Sequence, residues 1–279
     1  MLSGATGQIG GAIAAGLAND RRVSRLVVLA RDVQRAERTL AQLPNLSFEA
    51  VDLSMPGDVA ACAERLVSRL GVVDVLVNNA AVVPATHTLA PGSGIELQFC
   101  VNVLAYFALA NGLLPAMRSG SKVICVASDY AGGLNLDDLQ FAQRRYDATA
   151  AYKQSKQANR MIVAEAAAVG RGFTENGVAL AALHPGVVTS TLLRDLGMAS
   201  GWDSPAKAAE TALFLALDWV PSADSPSGTY WRDKMRVACP WAGTKFAAER
   251  ALLWRICEDL CPAISRGRVF VASPSGGPD

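Results

Sequence analysis

A tyrosine and a lysine four positions apart offer the clearest chemistry in this sequence. Tyr152 and Lys156 lie in an alanine-rich run, Ala-Tyr-Lys-Gln-Ser-Lys-Gln-Ala-Asn, with no further proline until Pro185. This composition predicts a helix over residues 149–169, in which positions four apart share one face. An ammonium group beside a phenol favours the phenolate, so we expect the Tyr152 pKa to fall below its usual value of about 10. Such a tyrosine can exchange a proton with a carbonyl or alcohol oxygen near neutral pH.

The composition argues against several other kinds of function. The 279 residues are 51% hydrophobic and carry a formal net charge of +1, which favours one α/β domain with a substantial core and no nucleic-acid surface. The six cysteines form no CxxC pair, and two histidines provide few ligands for a metal site. We therefore expect no metal, no nucleic-acid partner, and reduced, mostly buried thiols in a cytoplasmic protein.

One uncharged run, residues 97–117, has about the length of a membrane-spanning helix. Gln98, Asn102, Asn111 and Pro115 interrupt it, and it lies between other predicted α/β elements. We interpret the run as a helix buried in the core, and we expect no membrane span and no signal peptide.

The chain starts with a glycine-rich turn. Ser3-Gly-Ala-Thr-Gly-Gln-Ile-Gly10 leads into a helix predicted over residues 11–18. Such turns allow backbone amides and a helix N-terminus to bind a pyrophosphate. They normally follow a strand of about five or six residues, yet only Met1 and Leu2 precede Ser3. The first strand is therefore either a stub or is completed by residues ahead of Met1.

Strands and helices are predicted to alternate along the chain. The predicted strands cover residues 25–30, 47–51, 72–77, 122–127, 178–183 and 229–232, and the predicted helices include 33–43, 56–70 and 205–217. This alternation predicts a Rossmann-type, doubly wound parallel sheet with helices on both faces. Ligands of such sheets bind beyond the carboxyl ends of the strands, where the glycine-rich turn, Arg31, Asp52 and Asn79 all lie. We expect a single domain over residues 1–272, followed by a disordered Pro/Gly-rich tail over 273–279.

The end of the second predicted strand should contact the adenosine ribose of a bound dinucleotide. Arg31 takes the first position there and suits a 2′-phosphate, which favours NADP(H) over NAD(H). Asp32 leaves NAD(H) as an alternative, although we expect it to cap the following helix.

With these pieces assembled, the sequence resembles the short-chain dehydrogenase/reductase family over nearly its whole length. The resemblance rests on the glycine-rich turn, Asn78-Asn-Ala-Ala81, Asn102, Ser128, Tyr152-x-x-x-Lys156 and Pro185-Gly186-x-x-Thr189. It is nearest the retinol-dehydrogenase-like and light-dependent protochlorophyllide-reductase-like branch. The features that point to this branch are Arg31-Asp32, the long gap between Ser128 and Tyr152, Asn159 and the terminal Leu253-Trp-Arg-Ile-Cys-Glu-Asp-Leu260.

The resemblance implies a role for each matching residue. Tyr152 would be the general acid/base, and Lys156 would lower its pKa and bind the nicotinamide ribose. Ser128 would hydrogen-bond the substrate oxygen, and Asn102 would hold its helix open around a water in the proton relay. Thr189 and the Val188 backbone would contact the nicotinamide amide, and Asp52 and Leu53 the adenine. The full set of implied cofactor-binding residues is Ser3, Gly4, Thr6, Gly7, Gln8, Ile9, Gly10, Arg31, Asp52, Leu53, Asn79, Ala80, Ala81, Tyr152, Lys156, Pro185, Gly186, Val188 and Thr189.

Three features depart from the family pattern. Gln8 stands where the branch usually has glycine, Ala81 replaces the glycine that usually follows Asn-Asn-Ala, and the first strand is short. The local phosphate contacts are therefore open, and a missing central strand would weaken cofactor binding.

These observations predict reversible hydride transfer between NADP(H) and a carbonyl or alcohol substrate. Insertion 129–147, residues 82–87 and a mobile lid over 190–203 would form the pocket, and the leucines and methionine of the lid favour a medium-sized apolar substrate. Two alternatives remain: reduction of a carbon–carbon double bond, and a cofactor-binding sensor or scaffold without turnover.

Other residues receive simpler interpretations. We expect His184 to be structural, His87 to be solvated, and Tyr146 and Trp202 to line the pocket. The apolar helices over residues 97–117 and 149–169 predict a homodimer or a homotetramer, since relatives pair through the equivalent helices.

Overall fold

The computed structural model describes residues 1–168 and 170–262. Its strands form one eight-stranded sheet in the order β3-β2-β1-β4-β5-β6-β7-β8, and all neighbours are parallel except β7 and β8. The predicted tail over 273–279 and residues 263–272 of the predicted domain lie outside the described residues. The strands are β1 (Leu2–Ser3), β2 (Leu26–Ala30), β3 (Leu46–Ala50), β4 (Val75–Asn78), β5 (Lys122–Val126), β6 (Ala179–Leu183), β7 (Thr229–Arg232) and β8 (Met235–Val237).

Helices cover both faces of this sheet, as the alternating pattern predicts. The helices are α1 (Gln8–Ala18), α2 (Val33–Leu40), α3 (Pro56–Leu70), α4 (Leu97–Phe99), α5 (Ala105–Leu113), α6 (Ala148–Ala166), α7 (Thr191–Asp195), α8 (Pro205–Leu217) and α9 (Ala247–Leu260). Helices α1, α2 and α8 contribute to one apolar cluster, while α3, α5, α6 and α9 contribute to the other. The doubly wound fold predicted from the sequence is confirmed.

The first strand is as short as the sequence indicates. Leu2 pairs with Val28 on one side and Val77 on the other, and Ser3 pairs with Leu29. Ahead of β1, the N-terminal amine of Met1 donates to the Val75 carbonyl oxygen at 2.6 Å. A cleft of about 580 Å³ begins there, and its lining includes Arg25, Leu26 and Val27 of the β2 side and Val73, Asp74 and Val75 of the β4 side.

The long uncharged run is a helix of the core. α4 and α5 are joined by a π-helical segment, Cys100–Leu104, and the helix closes with a 3₁₀ turn, Leu114–Ala116. Within the described ranges, Leu97–Ala116 is the one helix long and apolar enough to cross a membrane, and 83% of its most apolar window is buried inside the molecule. That burial agrees with our interpretation of a core helix.

Helix α9 packs over the helices that we expected to face a partner subunit. Trp254 of α9 is fully buried, and its ring lies edge-on to Phe107 of α5, with the ring centroids 4.9 Å apart. Leu253 and Cys257 are also fully buried, in the apolar cluster that includes α5 and α6. Helix α9 therefore covers part of these apolar faces within one chain, and the homodimer or homotetramer stays a prediction.

Candidate active site

Helix α6 presents Tyr152 and Lys156 at the carboxyl end of β5. Asp147 caps the helix, since its side chain accepts a hydrogen bond from the Ala150 amide at 2.8 Å. Tyr152 and Lys156 are only 6% and 2% exposed. The Lys156 ammonium lies 5.6 Å from the centroid of the Tyr152 ring and donates to the Val126 carbonyl oxygen at 2.9 Å. The structure thus brings the predicted pair together in a buried place at the end of β5.

The pKa of Tyr152 moves in the direction opposite to our expectation. Burial raises it to about 12, and the hydrogen bond with the Ser128 side chain offsets only part of this rise. Burial also lowers the Lys156 pKa to about 8. The prediction of a lowered Tyr152 pKa is wrong for this structure because desolvation of the phenolate outweighs the hydrogen bond with Ser128. At neutral pH the Tyr152 hydroxyl therefore holds its proton and can donate it.

Ser128 follows β5 and faces Tyr152. It is 7% exposed, its hydroxyl shares a hydrogen bond with the Tyr152 hydroxyl, and it accepts a second one from the Tyr130 amide at 3.0 Å. Two hydroxyl groups that meet in this way can both hydrogen-bond one oxygen atom of a small molecule. The arrangement fits the binding of a carbonyl or alcohol oxygen.

Asn102 lies in the π-helical segment and connects two elements of the site. Its Oδ1 accepts from the Val82 amide at 2.9 Å, and its Nδ2 donates to the Val82 carbonyl at 3.1 Å and to the Ser155 hydroxyl at 3.3 Å. Ser155 in turn donates to the Tyr152 carbonyl at 2.7 Å. Asn102 thereby ties the loop after β4 to the backbone of α6, at a point where its own helix is widened.

The glycine-rich turn is packed too tightly for larger residues at two positions. Gly4 has a φ of +70°, and a Cβ added there would lie 2.7 Å from Ala80 Cα. A Cβ on Gly10 would lie 2.1 Å from the Gly4 carbonyl oxygen. Helix α1 begins at Gln8, three residues before the predicted start, because the later glycines lie inside its first turn rather than ahead of it.

The N-terminus of α1 fits a phosphate group. Gly7 caps this helix without any side-chain hydrogen bond, so no capping side chain satisfies the first-turn amides. A helix N-terminus with free amides attracts anions. The predicted residues Thr6, Gln8 and Ile9 are partly or fully exposed around this turn. The residues present therefore suit the pyrophosphate of a dinucleotide.

Ser3 and Asn79 form the support beneath this turn. The Ser3 hydroxyl accepts from the Asn79 and Ala80 amides at 3.0 and 3.2 Å. The Asn79 side chain donates to the Ser3 and Gly4 carbonyls at 3.0 and 3.2 Å. Ser3 is fully buried. Their visible contribution is to fix the glycine-rich turn, and a direct contact of either residue with a cofactor stays a prediction, as does one from Ala81.

The residues predicted for the adenosine end follow β2 and β3. Arg31 is exposed, and Asp32 caps α2 by accepting from the Arg35 amide at 2.8 Å, which confirms the capping role. Asp52 bends the turn that contains Leu53, since its carboxylate accepts from the amide and hydroxyl of Ser54 at 2.9 and 2.7 Å. Arg31 is thus the more available of the two residues at the end of β2.

The loop after β6 carries the residues predicted for the nicotinamide end, Pro185, Gly186, Val188 and Thr189. Hydrogen bonds join it to the far end of segment 190–203: the Thr189 hydroxyl accepts from the Gly201 amide at 2.9 Å, and Asp203 accepts from the Val187 amide at 2.7 Å. Between these anchors lies the short helix α7, which the sequence analysis missed although Ser190 supplies its cap.

The expected pocket residues fall into two groups. Tyr146 is held by Gln98, whose side-chain amide donates to the Tyr146 hydroxyl at 2.9 Å, and its ring lies 5.3 Å from that of His87. His87 is exposed but also bonds the Gln140 carbonyl at 2.9 Å. Trp202, by contrast, is 80% exposed. Tyr146 therefore has the fixed position of a wall residue, and Trp202 does not.

A charged group next to Ser128 was missed by the sequence analysis. Arg160 lies one turn beyond Lys156 on α6, is 6% exposed and contacts both Ser128 and Asp129. The available signal was its spacing, four positions after Lys156 on the same helical face. His184 is structural as expected, because its Nδ1 accepts from the Asp129 amide at 3.2 Å. Cys62, Cys100, Cys125, Cys239 and Cys257 are free thiols, and no group of metal-ligating side chains occurs within residues 1–168 and 170–262.

The comparisons with known proteins agree with this geometry. The short chain dehydrogenase family model matches residues 1–199. The chain is 30% identical to mouse retinol dehydrogenase 13 over 264 residues, covering 86% of this chain and 76% of that protein. It is 32% identical over 269 residues to a protein of Streptomyces sp. (strain C5) that is named for daunorubicin C-13 ketoreductase activity, covering 91% and 89%.

A solved structure gives the same result for the fold. An uncharacterised protein of Mycobacterium paratuberculosis superimposes with a TM-score of 0.75 at 27% identity, over 93% of this chain and 91% of that one. With the family match over more than half of its length, this chain belongs to the short-chain dehydrogenase/reductase family of oxidoreductases.

Proposed function

We propose that this protein transfers hydride reversibly between NADP(H) and the carbonyl or alcohol group of an apolar substrate, with Tyr152 as the general acid/base. The observation that carries the proposal is the buried meeting of the Tyr152 and Ser128 hydroxyls beside the Lys156 ammonium. A proton donor, a second hydrogen-bond donor and a cation around one point are what the protein must supply for reduction of a carbonyl when a nicotinamide supplies the hydride.

The side chains of this site act on the substrate oxygen. Tyr152 is protonated at neutral pH and donates its proton to the oxygen as negative charge develops there. Ser128 hydrogen-bonds the same oxygen and holds it at Tyr152. Lys156, with its pKa lowered to about 8, is still mostly charged at neutral pH and stabilises the tyrosinate that remains. The nicotinamide, when bound, supplies the hydride.

The preference for NADP(H) rests on the end of β2. Arg31 is exposed there and suits the 2′-phosphate as a charged, forked donor. The Asp32 carboxylate already accepts the Arg35 amide as the cap of α2, which leaves it less free to bind a ribose hydroxyl. These two observations favour a phosphate over a free 2′-hydroxyl.

The substrate class follows from the lid segment and the relatives. Segment 190–203 carries Leu192, Leu193, Leu196 and Met198 beside the nicotinamide end. The relatives are named for retinol dehydrogenase activity and for daunorubicin C-13 ketoreductase activity. We infer a medium-sized apolar alcohol, aldehyde or ketone.

The cofactor part of the proposal is tested by titrating NADPH and NADH into the purified protein and following nucleotide fluorescence. NADPH should bind more tightly than NADH. Arg31→Ala should weaken the binding of NADPH by about 10-fold or more, because one charge-assisted contact is lost. The affinity for NADH should not change. Arg35→Ala is the matched control, because Arg35 is an exposed arginine in the first turn of α2. Equal affinities for the two nucleotides, or equal losses in both variants, would contradict the role of Arg31.

The catalytic part is tested with Tyr152→Phe on a panel of apolar aldehydes and ketones that includes all-trans-retinal. Turnover should fall by about 10²–10⁴-fold, whereas the NADPH dissociation constant should stay within about twofold, since only the proton donor is lost. Tyr130→Phe serves as the control because Tyr130 is 44% exposed and its contact with Ser128 is through its backbone amide.

Each remaining outcome points to one of the alternatives. NADPH binding without turnover on any carbonyl would favour a sensor or scaffold. Reduction of a conjugated double bond with the carbonyl left intact would favour the other enzymatic alternative.

A further inference from the structure

Arg160 joins α6 to the carboxyl end of β5 and to β7, beside the proposed catalytic serine. One of its terminal nitrogens donates to the Ser128 carbonyl oxygen, to Asp129 Oδ1 at 3.0 Å and to the Tyr230 hydroxyl at 2.5 Å. Tyr230 lies on β7, and Ser128 and Asp129 follow β5. A single guanidinium therefore contacts the Ser128 peptide, the Asp129 carboxylate and the Tyr230 hydroxyl together.

Aromatic rings restrict the orientation of this guanidinium. Its central carbon lies 3.6 Å from the centroid of the Tyr230 ring and 5.3 Å from that of Trp241. Stacking keeps the plane of an arginine fixed, which a lysine ammonium cannot reproduce. Arg160 is thus held as a rigid fork rather than as a flexible charge.

Asp129 is hydrogen-bonded through both its carboxylate and its backbone amide, and these bonds restrain the backbone next to Ser128. Its second carboxylate oxygen accepts from Arg232 at 3.0 Å, and its Oδ1 accepts from the Tyr230 hydroxyl at 2.7 Å. Its backbone amide donates to His184 Nδ1. The residue directly after Ser128 is consequently fixed to β6 and β7, and Ser128 lies between this anchor and Tyr152.

The energetics argue against stability as the reason for this arginine. Arg160 is 6% exposed, and in the part of the chain that the structure describes its Nε has no hydrogen-bond partner. Burying a charged group with an unsatisfied donor is costly, so an apolar residue would suit stability at least as well. The hydrogen bonds that Arg160 does make go to the Ser128 carbonyl, to Asp129 and to the Tyr230 hydroxyl, which itself donates to Asp129.

We infer that Arg160 is a positioning residue, which orients the Ser128 hydroxyl toward Tyr152 by clamping the Ser128 carbonyl and the Asp129 side chain. The inference rests on the proposed function, in which Ser128 binds the substrate oxygen. A displacement of about 1 Å in such a group can reduce turnover by about 10²-fold.

Arg160→Met and Arg160→Lys test this inference. The methionine keeps the apolar stem and removes the fork, so kcat for a carbonyl that the wild type reduces should fall by about 10–100-fold, while the NADPH dissociation constant and KM change by less than about threefold. The lysine keeps one charged donor and should restore part of kcat. If the methionine variant fails to fold, kcat, KM and the NADPH dissociation constant of the lysine variant are compared with those of the wild type instead.

Arg171→Met is the matched control. Arg171 also pairs with a carboxylate, Glu165 at 2.5 Å, and lies 5.0 Å from the Trp254 ring centroid, but it has no contact with Ser128 among the bonds described. It should lose thermal stability without losing kcat. If the Arg160 and Arg171 variants lose kcat equally, and in proportion to their losses of Tm, then Arg160 has only a structural role and the inference is overturned.

A double-mutant cycle with Ser128→Ala separates action through Ser128 from other effects. If Arg160 acts by orienting the Ser128 hydroxyl, Arg160→Met should cost little further kcat once that hydroxyl is gone. Additive losses would overturn the inference while leaving the proposed function intact. An inactive wild type would overturn both, so the two failures are distinguishable.

Discussion

Strand β1 is only two residues long, yet its two ends are built in opposite ways. At the carboxyl end, the Ser3 hydroxyl and the Asn79 side chain exchange hydrogen bonds with the surrounding backbone, and Gly4 packs against Ala80. At the amino end, β2 and β4 continue without β1 between them, and the cleft of about 580 Å³ takes its place.

The difference shows which part of the central strand the site needs. A parallel strand contributes ladder hydrogen bonds along its whole length, but the ligand-binding turn depends only on where its carboxyl end is fixed. Here that end is held by Asn79 from the neighbouring strand. We therefore expect changes at the carboxyl end to affect cofactor binding, and changes at the amino end to affect stability.

The largest effect should come from Gly10→Ala at the carboxyl end. Its Cβ would meet the Gly4 carbonyl at 2.1 Å, so the turn must move, whereas a Cβ on Gly11 would meet the Ala5 carbonyl at an acceptable 3.4 Å. Gly10→Ala should weaken NADPH binding by more than about 10-fold, in line with an overpacking cost of about 1–3 kcal/mol. The Gly11→Ala variant should bind NADPH as tightly as the wild type. Nucleotide titration of both variants would show whether the turn is as rigid as its packing indicates.

An intermediate effect is expected when residues are added at the amino end. Three valines placed ahead of Met1 can continue β1 into the cleft, where their backbone would pair with β2 and β4 and their side chains would pack on the two faces of the sheet. We expect Tm to rise by about 5 °C, because each buried valine contributes roughly 1.5–3 kcal/mol before the ordering cost is subtracted. A Gly-Ser-Gly extension is the control. Equal Tm values for the two extended proteins would mean that the cleft does not accept a strand.

The smallest effect concerns the charge at the amino end. Burial lowers the pKa of the Met1 amine from 8.0 to about 5, against the opposing influence of Asp74. Between these values the unfolded chain binds the proton more readily, so this amine makes stability fall as the pH drops from about 8 to about 5.

The Gly-Ser-Gly extension replaces the Met1 amine by a peptide amide and so separates charge from packing. The Tm of the extended protein minus that of the unextended chain should increase as the pH falls from about 8 to about 5. Thermal unfolding at several pH values measures this difference. A difference that stays constant from pH 8 to 5 would show that the amine is not desolvated in the folded protein.

Features encoded by neighbouring residues were determined by the sequence alone. Helices α3 and α8 have the predicted bounds, each with a proline in its first turn, and β7 is also where it was predicted. Asp32 caps α2 as expected from its place before the helix. The order of strands, helices and glycine-rich turn was sufficient for the parallel sheet, since connection rules leave few alternatives.

Properties that depend on burial or on distant residues were decided by the tertiary structure. The Tyr152 pKa rises because the whole fold removes water from the phenol, and spacing on one helix does not reveal that. Arg160 meets Tyr230, 70 positions away, and α9 returns to cover Phe107 of α5. Local sequence determines which helix or strand forms and which residues share a face, whereas desolvation and long-range partners are set only once the chain is packed.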